Sequence, residues 1–392
     1  MRLSQRWAVA AVVLTAVLPA LAGAAAAPEP PAAPLRMAAQ GGITGQYLVT
    51  LRPGTDPDSV LRSVEARPMF TYRSVLVGFA ARLSDEQVSR LRAVPGVEAL
   101  EQDARVAAPK PAAQTAAAAA APSWGLARIA DRARGGAAFS VRATGASVTS
   151  YVIDTGIDFG HAEFGGRAAP GFDAMGDGRD GADCHGHGTH VAGTIGGATT
   201  GVARRTKLVS VRVLGCDGDG TVATVVAGMN WVAAHAVKPA VANLSTGGPH
   251  SETADRAVEG LAAAGVLPVV AAGNSDEDAC GVSPAGAPGA YTVAATDEED
   301  RMASFSNWGD CVDISAPGTN ITSAALGGGL VSMSGTSMAA PHVTGVAALY
   351  KDTYGDVSTS FLASWLSASA TPGVPVDAPA GTPRLLVYTA GL

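Results

Sequence analysis

Five short, continuous apolar runs constrain the fold of this 392-residue chain more than any other feature. Segments of helical length separate them, such as 221–236 and 254–264. Unbroken apolar runs of this length indicate strands of a parallel sheet that is buried on both faces. We therefore predict a three-layer, doubly wound, mostly parallel α/β domain over 123–392. The runs are Val148–Ile153, Leu208–Val213, Val241–Leu244, Val266–Ala271 and Tyr291–Ala294.

A smaller domain is predicted upstream, over 46–106. Strand patterns begin at Tyr47, Met69, Val75 and Val97, and helical patterns begin at Asp56 and Asp85. The order βαββαβ within about sixty residues is typical of a small α+β domain of ferredoxin-like type.

The remaining segments are predicted from their composition. Arg2 and Arg6 precede the apolar run Trp7–Leu18, and small residues follow it, so we expect a secretory signal over 1–27. The run is too short to span a bilayer, and no other stretch is long and apolar enough to do so, which predicts a secreted protein without a membrane anchor. We expect 28–45 to be flexible and the Ala/Pro-rich 107–122 to be an exposed linker that contains a cleavage site.

The charge of the larger domain argues against one class of partner. Residues from Ser123 onward carry 25 Asp and Glu against 15 Lys and Arg. A nucleic-acid partner would need a basic face, so we expect none.

Four polar residues fall where strands end or helices begin. Asp154 follows the strand residues Tyr151–Ile153, His187 precedes an apolar helical start, Asn274 follows Val269–Gly273, and Ser337 opens a helical segment. In doubly wound folds, ligands bind at the carboxyl edge of the strands.

Each of these residues has an ordinary alternative when it is taken alone. Asp154 and Ser337 could be capping residues. The cluster His185, His187 and His190 has the spacing of a zinc site, except that Thr189 stands where an aspartate is needed. A secreted metallohydrolase is therefore a second hypothesis for the whole protein, and an inactive binding relative is a third.

Together the four residues favour nucleophilic catalysis. A serine hydroxyl becomes a good nucleophile only when a base removes its proton and a buried carboxylate orients that base. The side-chain amide of Asn274 and the helix N-terminus at Ser337 can both donate hydrogen bonds to a developing oxyanion.

The motifs around these residues resemble those of subtilisin-like serine proteases, and most nearly those of the proteinase K-type branch. The resemblance implies Asp154 as triad acid, His187 as general base, Ser337 as nucleophile and Asn274 as oxyanion donor. His185 and His190 match no catalytic position. The matching segments, in order over 123–392, are Tyr151–Ile157, Asp183–Thr194, Val209–Leu214, Ala242–Gly248, Ala271–Ser275, Ala303–Trp308 and Ser334–Val346.

The same resemblance implies a substrate cleft. Its two edges would be Gly218-Asp219-Gly220 and Ser245-Thr246-Gly247, between which a substrate lies as an added strand. Ala271-Ala272-Gly273 would form the wall of the primary pocket, where small residues leave room for a large apolar or aromatic side chain. Taken outside the family, these Gly-rich pieces would be plain turns.

Disulfides and calcium are also expected. Four cysteines permit three pairings, which spacing leaves open; the aqualysin-type relatives imply Cys184–Cys216 and Cys280–Cys311. Carbonyl groups of Pro288 and Ala290 with the Asp313 carboxylate match one family calcium site. The acidic loop Asp173, Asp177, Asp180 and Asp183 either holds a second ion or is merely solvated. A further family site near Asp131 is degraded.

The small domain resembles the inhibitor-like propeptide of the family. We therefore expect a monomeric endopeptidase of broad specificity, made as a zymogen, whose own propeptide assists folding and then blocks the cleft. No catalytic cofactor is implied.

Overall fold

The computed structural model describes residues 7–13, 32–108, 115–116, 123–135 and 139–392. Most of the predicted signal over 1–27, including its cleavage region, and most of the predicted linker 107–122 lie outside the described residues. Residues 33–392 form one compact unit. No described helix combines the length and the apolar character that crossing a bilayer requires.

The N-terminal domain (residues 33–108) has the predicted order of elements, preceded by one extra strand. Successive side chains of a β-strand point to opposite faces of the sheet, and β2 (Gly42–Leu51) shows this. Val49 and Leu51 pack in the domain's own core with residues of both helices, whereas Leu48 packs against the rest of the chain. The sheet order is β1-β5-β2-β4-β3. Its elements are β1 (Leu35–Arg36), β2 (Gly42–Leu51), α1 (Pro57–Ser63), β3 (Pro68–Tyr72), β4 (Gly78–Arg82), α2 (Asp85–Arg92) and β5 (Val97–Ala107).

The extra strand differs from our expectation for 28–45. β1 pairs in parallel with β5, Leu35 opposite Leu100 and Arg36 opposite Glu101. The composition suggested a flexible segment, but the exposed edge of β5 supplies backbone partners that composition does not reveal.

The C-terminal domain (residues 123–392) contains the predicted sheet. The strands of this domain are β7 (Thr149–Asp154), β8 (Ala168–Asp173), β9 (Lys207–Arg212), β10 (Asp219–Thr221), β11 (Ala240–Leu244), β12 (Gly248–Pro249), β13 (Leu267–Ala271), β14 (Val282–Ser283), β15 (Tyr291–Thr296), β16 (Ile314–Pro317), β17 (Ile321–Ala324), β18 (Leu330–Met333), β19 (Thr371–Pro372) and β20 (Leu385–Leu386). Nine of them form the main sheet, in the order β19-β20-β16-β15-β13-β11-β7-β9-β8, and they are parallel except for the β19–β20 pair. The strand β6 (Thr115–Ala116) lies in the predicted linker and pairs with β18.

Helices cover both faces of this sheet, which confirms the three-layer prediction. The helices are α3 (Trp124–Ala130), α4 (His187–Gly196), α5 (Val222–His235), α6 (Glu252–Ala263), α7 (Thr336–Tyr354) and α8 (Thr359–Ser369). Val241 and Val269 pack with α7, whereas Ala242 and Val270 pack on the opposite face with α5 and α6.

Two disulfides connect loops of the C-terminal domain. Cys184 bonds to Cys216 and Cys280 to Cys311. Each closes a loop of about thirty residues, which corresponds to about 3–4 kcal/mol on the chain-entropy estimate.

Candidate active site

The carboxyl end of β7 and the first turn of α4 bring Asp154 and His187 together. His187 Nδ1 lies 2.8 Å from Asp154 Oδ1, and the same oxygen accepts from Thr155 N at 2.7 Å. Both side chains are buried. A buried carboxylate at this nitrogen fixes the ring with Nδ1 protonated and leaves Nε2 as the basic nitrogen.

The environment of His187 makes it a stronger base than an ordinary histidine. Burial disfavours the charged ring, but the charge and hydrogen bond of Asp154, with a smaller effect of Asp183, outweigh it and raise the pKa of His187. Among the described residues no hydrogen-bond partner reaches Nε2, although the atom is buried. This nitrogen is therefore available to a proton donor in the cleft.

Ser337 lies in the first turn of α7. Its side chain is buried, and Oγ donates to Ser245 O at 3.4 Å. In return Ser245 Oγ donates to Ser337 O at 3.2 Å. Ser337 Oγ is thus turned to Ser245 O, and no hydrogen bond joins it to His187 Nε2.

Asn274 is held by Thr336, a residue that the sequence did not single out. Asn274 Oδ1 accepts from Thr336 N at 2.9 Å and from Thr336 Oγ1 at 2.7 Å. Thr336 Oγ1 also accepts from Gly273 N at 3.1 Å. Because these bonds fix the amide oxygen, the Nδ2 donor is the end left for a ligand. The only sequence signal for Thr336 was its place next to Ser337.

Three of the four carboxylates of the acidic loop, those of Asp173, Asp177 and Asp183, bind protein groups. Asp183 accepts from His185 N, Gly186 N and Thr189 N at 2.9–3.0 Å, at the start of α4. Asp173 and Asp177 bind the buried guanidinium of Arg212 at 3.0 and 2.6 Å. Side-chain hydrogen bonding to Arg212 is the main reason that the pKa of Asp177 falls to about 2. The two predictions from sequence, an ion site or a solvated loop, did not include the contacts with Arg212.

Two histidines of the suggested zinc pattern bind different partners, and the His185 ring lies 6.3 Å from that of His187. His187 binds Asp154, whereas His190 Nε2 lies 2.9 Å from Ile321 O and 3.2 Å from Val331 O. Burial is the main cause that lowers the pKa of His190 to about 3. Within the described parts of the chain, no three His, Cys, Asp or Glu side chains form a cluster suited to a metal ion. A shared ion would require breaking both sets of contacts.

Asp313 is the carboxylate of the predicted calcium site. It precedes β16, as Ala290 precedes the adjacent strand β15, and its Oδ2 accepts from Thr292 N at 2.7 Å. Burial raises the pKa of Asp313 to about 6. A buried carboxylate is the kind of hard oxygen ligand that calcium prefers, so the chemistry of Asp313 fits the ion.

The tail of the N-terminal domain (Arg105–Ala108) lies between the two predicted substrate edges. β5 pairs antiparallel with β10, placing Val106 opposite Gly220 and Ala107 opposite Asp219. On the other side, Ala107 N donates to Gly247 O at 3.2 Å and Gly247 N donates to Ala107 O at 3.3 Å. Ala108 N donates to Gly218 O at 2.9 Å. The tail thus binds as an added middle strand, through main-chain groups.

Two carboxylates of β5 extend this interface to the helices of the C-terminal domain. Glu101 Oε2 accepts from Thr253 N at 3.0 Å and from Thr253 Oγ1 at 2.7 Å, at the N-terminus of α6. Asp103 Oδ1 accepts from Ala223 N at 3.1 Å, at the N-terminus of α5. Both carboxylates are buried and complete helix ends that belong to the other domain.

Two family models match this chain, one over each of its two domains. The model of the subtilase family matches residues 145–386, and the model of the I9 peptidase inhibitors matches residues 46–108. The chain belongs to the subtilase family. The prediction of a serine-type endopeptidase of this family with an inhibitor-like N-terminal domain is confirmed.

Individual relatives of the subtilase cover most of its length. It is 45% identical over 377 residues to an extracellular serine proteinase of a Thermus strain, covering 95% of this chain and 86% of the relative. Proteinase R of Parengyodontium album is 39% identical, over 92% and 96% of the two chains. An alkaline serine exoprotease A of Vibrio alginolyticus is 45% identical over 84% of this chain, but the match spans only 62% of the Vibrio protein.

A solved structure agrees with the fold. The crystal structure of a cold adapted subtilisin-like serine proteinase superposes with a TM-score of 0.67 at 47% identity. It covers 68% of this chain and 98% of the other.

Proposed function

We propose that the subtilase is a secreted endopeptidase in which Ser337, His187 and Asp154 form the catalytic triad. Ser337 Oγ bonds to the carbonyl carbon of the scissile peptide while its proton passes to His187 Nε2. The tetrahedral intermediate then collapses, the C–N bond breaks, and His187 returns the proton to the leaving amine. Water repeats the sequence on the acyl-enzyme. The hydrogen bond of 2.8 Å between His187 Nδ1 and buried Asp154 is the observation that carries this proposal.

Asn274 supplies a side-chain donor to the oxyanion in this proposal. Its amide oxygen is occupied by Thr336 at 2.7 and 2.9 Å, so the nitrogen is turned to the cleft without freedom to flip. A donor fixed before the reaction stabilises developing charge without reorganisation.

Substrates bind between Gly218–Gly220 and Ser245–Gly247 as an added strand. The tail of the chain's own N-terminal domain occupies these two edges in the same way. Because the contacts are to main-chain groups, we infer broad specificity, with a large apolar or aromatic side chain against Ala271, Ala272 and Gly273.

The precursor proposed here has five segments. Residues 1–27 direct secretion, 28–45 precede the inhibitor-like propeptide of 46–106, and the linker 107–122 contains the bond that the enzyme cuts in itself. Residues 123–392 remain as the active enzyme. Names of relatives such as extracellular serine proteinase, together with two disulfides, support secretion.

Calcium stabilises the enzyme at Pro288, Ala290 and Asp313 in this proposal. The carbonyl and carboxylate oxygens would hold the ion, which takes no part in the chemistry.

Two measurements test the catalytic assignment. A fluorophosphonate probe should label the mature enzyme at Ser337, and labelling should persist after brief exposure to a chelator. An enzyme that the probe does not label and that a chelator inactivates would support the metallohydrolase instead.

Asn274→Ala should lower kcat by about 10²–10³ with little change in KM, the magnitude reported for the oxyanion asparagine of subtilisin. If kcat/KM fell as much but only because KM rose, with kcat unchanged, Asn274 would not be an oxyanion donor.

A further inference from the structure

Asn307 is a buried polar residue to which the proposed mechanism gives no part. It lies between β15 and β16, in the segment Ala303–Trp308, which matched the family motifs without a role for its residues. Its side chain contacts residues 272–277, which follow β13 and contain Asn274. We call this segment the oxyanion loop.

Both ends of the Asn307 amide bind the backbone of the oxyanion loop. Nδ2 donates to Ala272 O at 2.9 Å, two residues before Asn274. Oδ1 accepts from Ser275 N at 3.0 Å and from Glu277 N at 3.2 Å, on the other side of Asn274. One side chain therefore holds the main chain before and after the candidate oxyanion donor.

The contact between Asn307 and the oxyanion loop is also close at Gly273. Gly273 O accepts from Asn307 N at 2.9 Å. Gly273 has a φ of +109°, in the left-handed region that favours glycine, and a Cβ built there would overlap Asn307 Nδ2. The residue directly before Asn274 thus has an unusual backbone conformation that packs against the Asn307 amide.

The chemistry of these contacts requires an amide at position 307. The oxyanion loop presents one carbonyl group and two N–H groups to it, and asparagine carries both a donor and an acceptor on one short side chain. Aspartate would have no donor for Ala272 O, and alanine would leave all three backbone groups without this partner.

We propose that Asn307 is a positioning residue that fixes the Asn274 amide in place before substrate binds. The proposal rests on the oxyanion role of Asn274 proposed above. Thr336 binds the amide oxygen of Asn274, and Asn307 holds the main chain that carries it. A donor stabilises developing charge only where its geometry is set in advance, and a displacement of about 1 Å can cost about 10² in rate. Because Asn307 is buried, it acts through Asn274 and not on the substrate.

A double-mutant cycle of wild type, Asn274→Ala, Asn307→Ala and the double variant tests the proposal. All four are made as full-length precursors, and immobilised wild-type enzyme completes the maturation of slow variants and is removed before the assay. We expect Asn307→Ala to lower kcat at least about tenfold, with KM within about threefold of the wild type. In the Asn274→Ala background the same substitution should lower kcat less than about threefold, because the donor that Asn307 positions is absent.

Thr206→Val serves as the matched control. Buried Thr206 Oγ1 also donates to a backbone carbonyl group, Val148 O at 2.9 Å, but it lies at the amino ends of the strands, whereas Asn274 follows a carboxyl end. The control should keep kcat within about twofold of its parent in both backgrounds. If Asn307→Ala does not accumulate, the cycle is measured with Asn307→Ser, whose shorter side chain cannot bind both sides of the loop.

The outcomes separate this inference from the function on which it rests. Wild-type kcat in Asn307→Ala would overturn the inference, and so would an equal loss of kcat in both backgrounds, which indicates general damage to the fold. In both cases Asn274→Ala alone would still show its own loss of kcat. An Asn274→Ala enzyme with wild-type kcat would overturn the oxyanion role and this inference together.

Discussion

His187 has its two ring nitrogens in different situations. Nδ1 is bound to Asp154, and Nε2 is buried without a partner among the described residues. The raised pKa of His187 follows from the balance between burial, which favours the neutral ring, and the stronger effect of Asp154. A base of this kind is neutral only when the pH exceeds its raised pKa.

The first prediction is therefore a pH profile. The acid limb of kcat/KM should have an apparent pKa above the ordinary 6.5, with activity present at higher pH and lost as the pH falls through that value. Asp154→Asn should lower kcat by about 10⁴ because the ring loses its orientation and its counter-charge. A wild-type limb below 6.5, or an Asp154→Asn variant with wild-type kcat, would contradict the role of Asp154.

Asp313 carries the second prediction. Its pKa of about 6, in place of the ordinary 3.8, means that the protonated carboxyl group stabilises the folded protein by on the order of 3 kcal/mol. In the metal-free protein this contribution is fully present below about pH 4 and is lost as the pH rises through 6. Calcium binds the ionised carboxylate, so the ion should raise Tm more at pH 8 than at pH 5. Thermal unfolding in a Ser337→Ala background, which avoids self-digestion, measures this. Asp313→Asn should lose the calcium-dependent gain, and an equal gain in both proteins would place the ion elsewhere.

At the scale of elements, the N-termini of four helices are used in two ways. α4 and α7 begin at His187 and near Ser337 and present the candidate catalytic residues. α5 and α6 begin at the domain interface, where Asp103 and Glu101 bind their free backbone amides. The helix N-termini that present candidate catalytic residues are therefore different from those that bind the N-terminal domain.

Glu101→Ala should destabilise the precursor by about 1–2 kcal/mol, because the first turn of α6 loses a charged acceptor. Urea unfolding of the Ser337→Ala precursor measures this, with exposed Glu65→Gln as control. The stability of the proposed mature enzyme (residues 123–392), which would lack Glu101, gives the reference. A loss no larger than that of Glu65→Gln would show that the carboxylate contributes little.

The elements that the sequence predicted are those with a local signal. The strand around Val152 and the helix capped by Ser84 followed from periodicity and capping residues. Local patterns also located Asp154, His187, Asn274 and Ser337, because each stands at an element boundary. Of their partners, Thr336 had only its place next to Ser337 as a signal, and Arg212 had none. Arg212 lies 39 residues from Asp173, and only the register of β8 with β9 brings the two together.

At the scale of the whole molecule, the N-terminal domain touches the C-terminal domain in three places. The tail fills the proposed substrate cleft, and Glu101 and Asp103 bind the N-termini of two helices. The loop between β3 and β4 (residues 73–77) contacts Asn230 and Gly260. None of the three followed from the spacing of residues, since each joins segments more than 100 residues apart. The N-terminal domain therefore covers the proposed cleft and also contributes contacts to the fold of the C-terminal domain.

We propose that this molecule is a precursor whose own Ser337 releases the enzyme. Mass spectrometry of the N-terminus of the wild type and of Ser337→Ala, both expressed in a host without other proteases, tests it most directly. We predict that the wild type begins within the linker 107–122 or at its end, and that Ser337→Ala keeps the N-terminal domain. A Ser337→Ala protein that loses this domain, or a wild type that never does, would contradict the account.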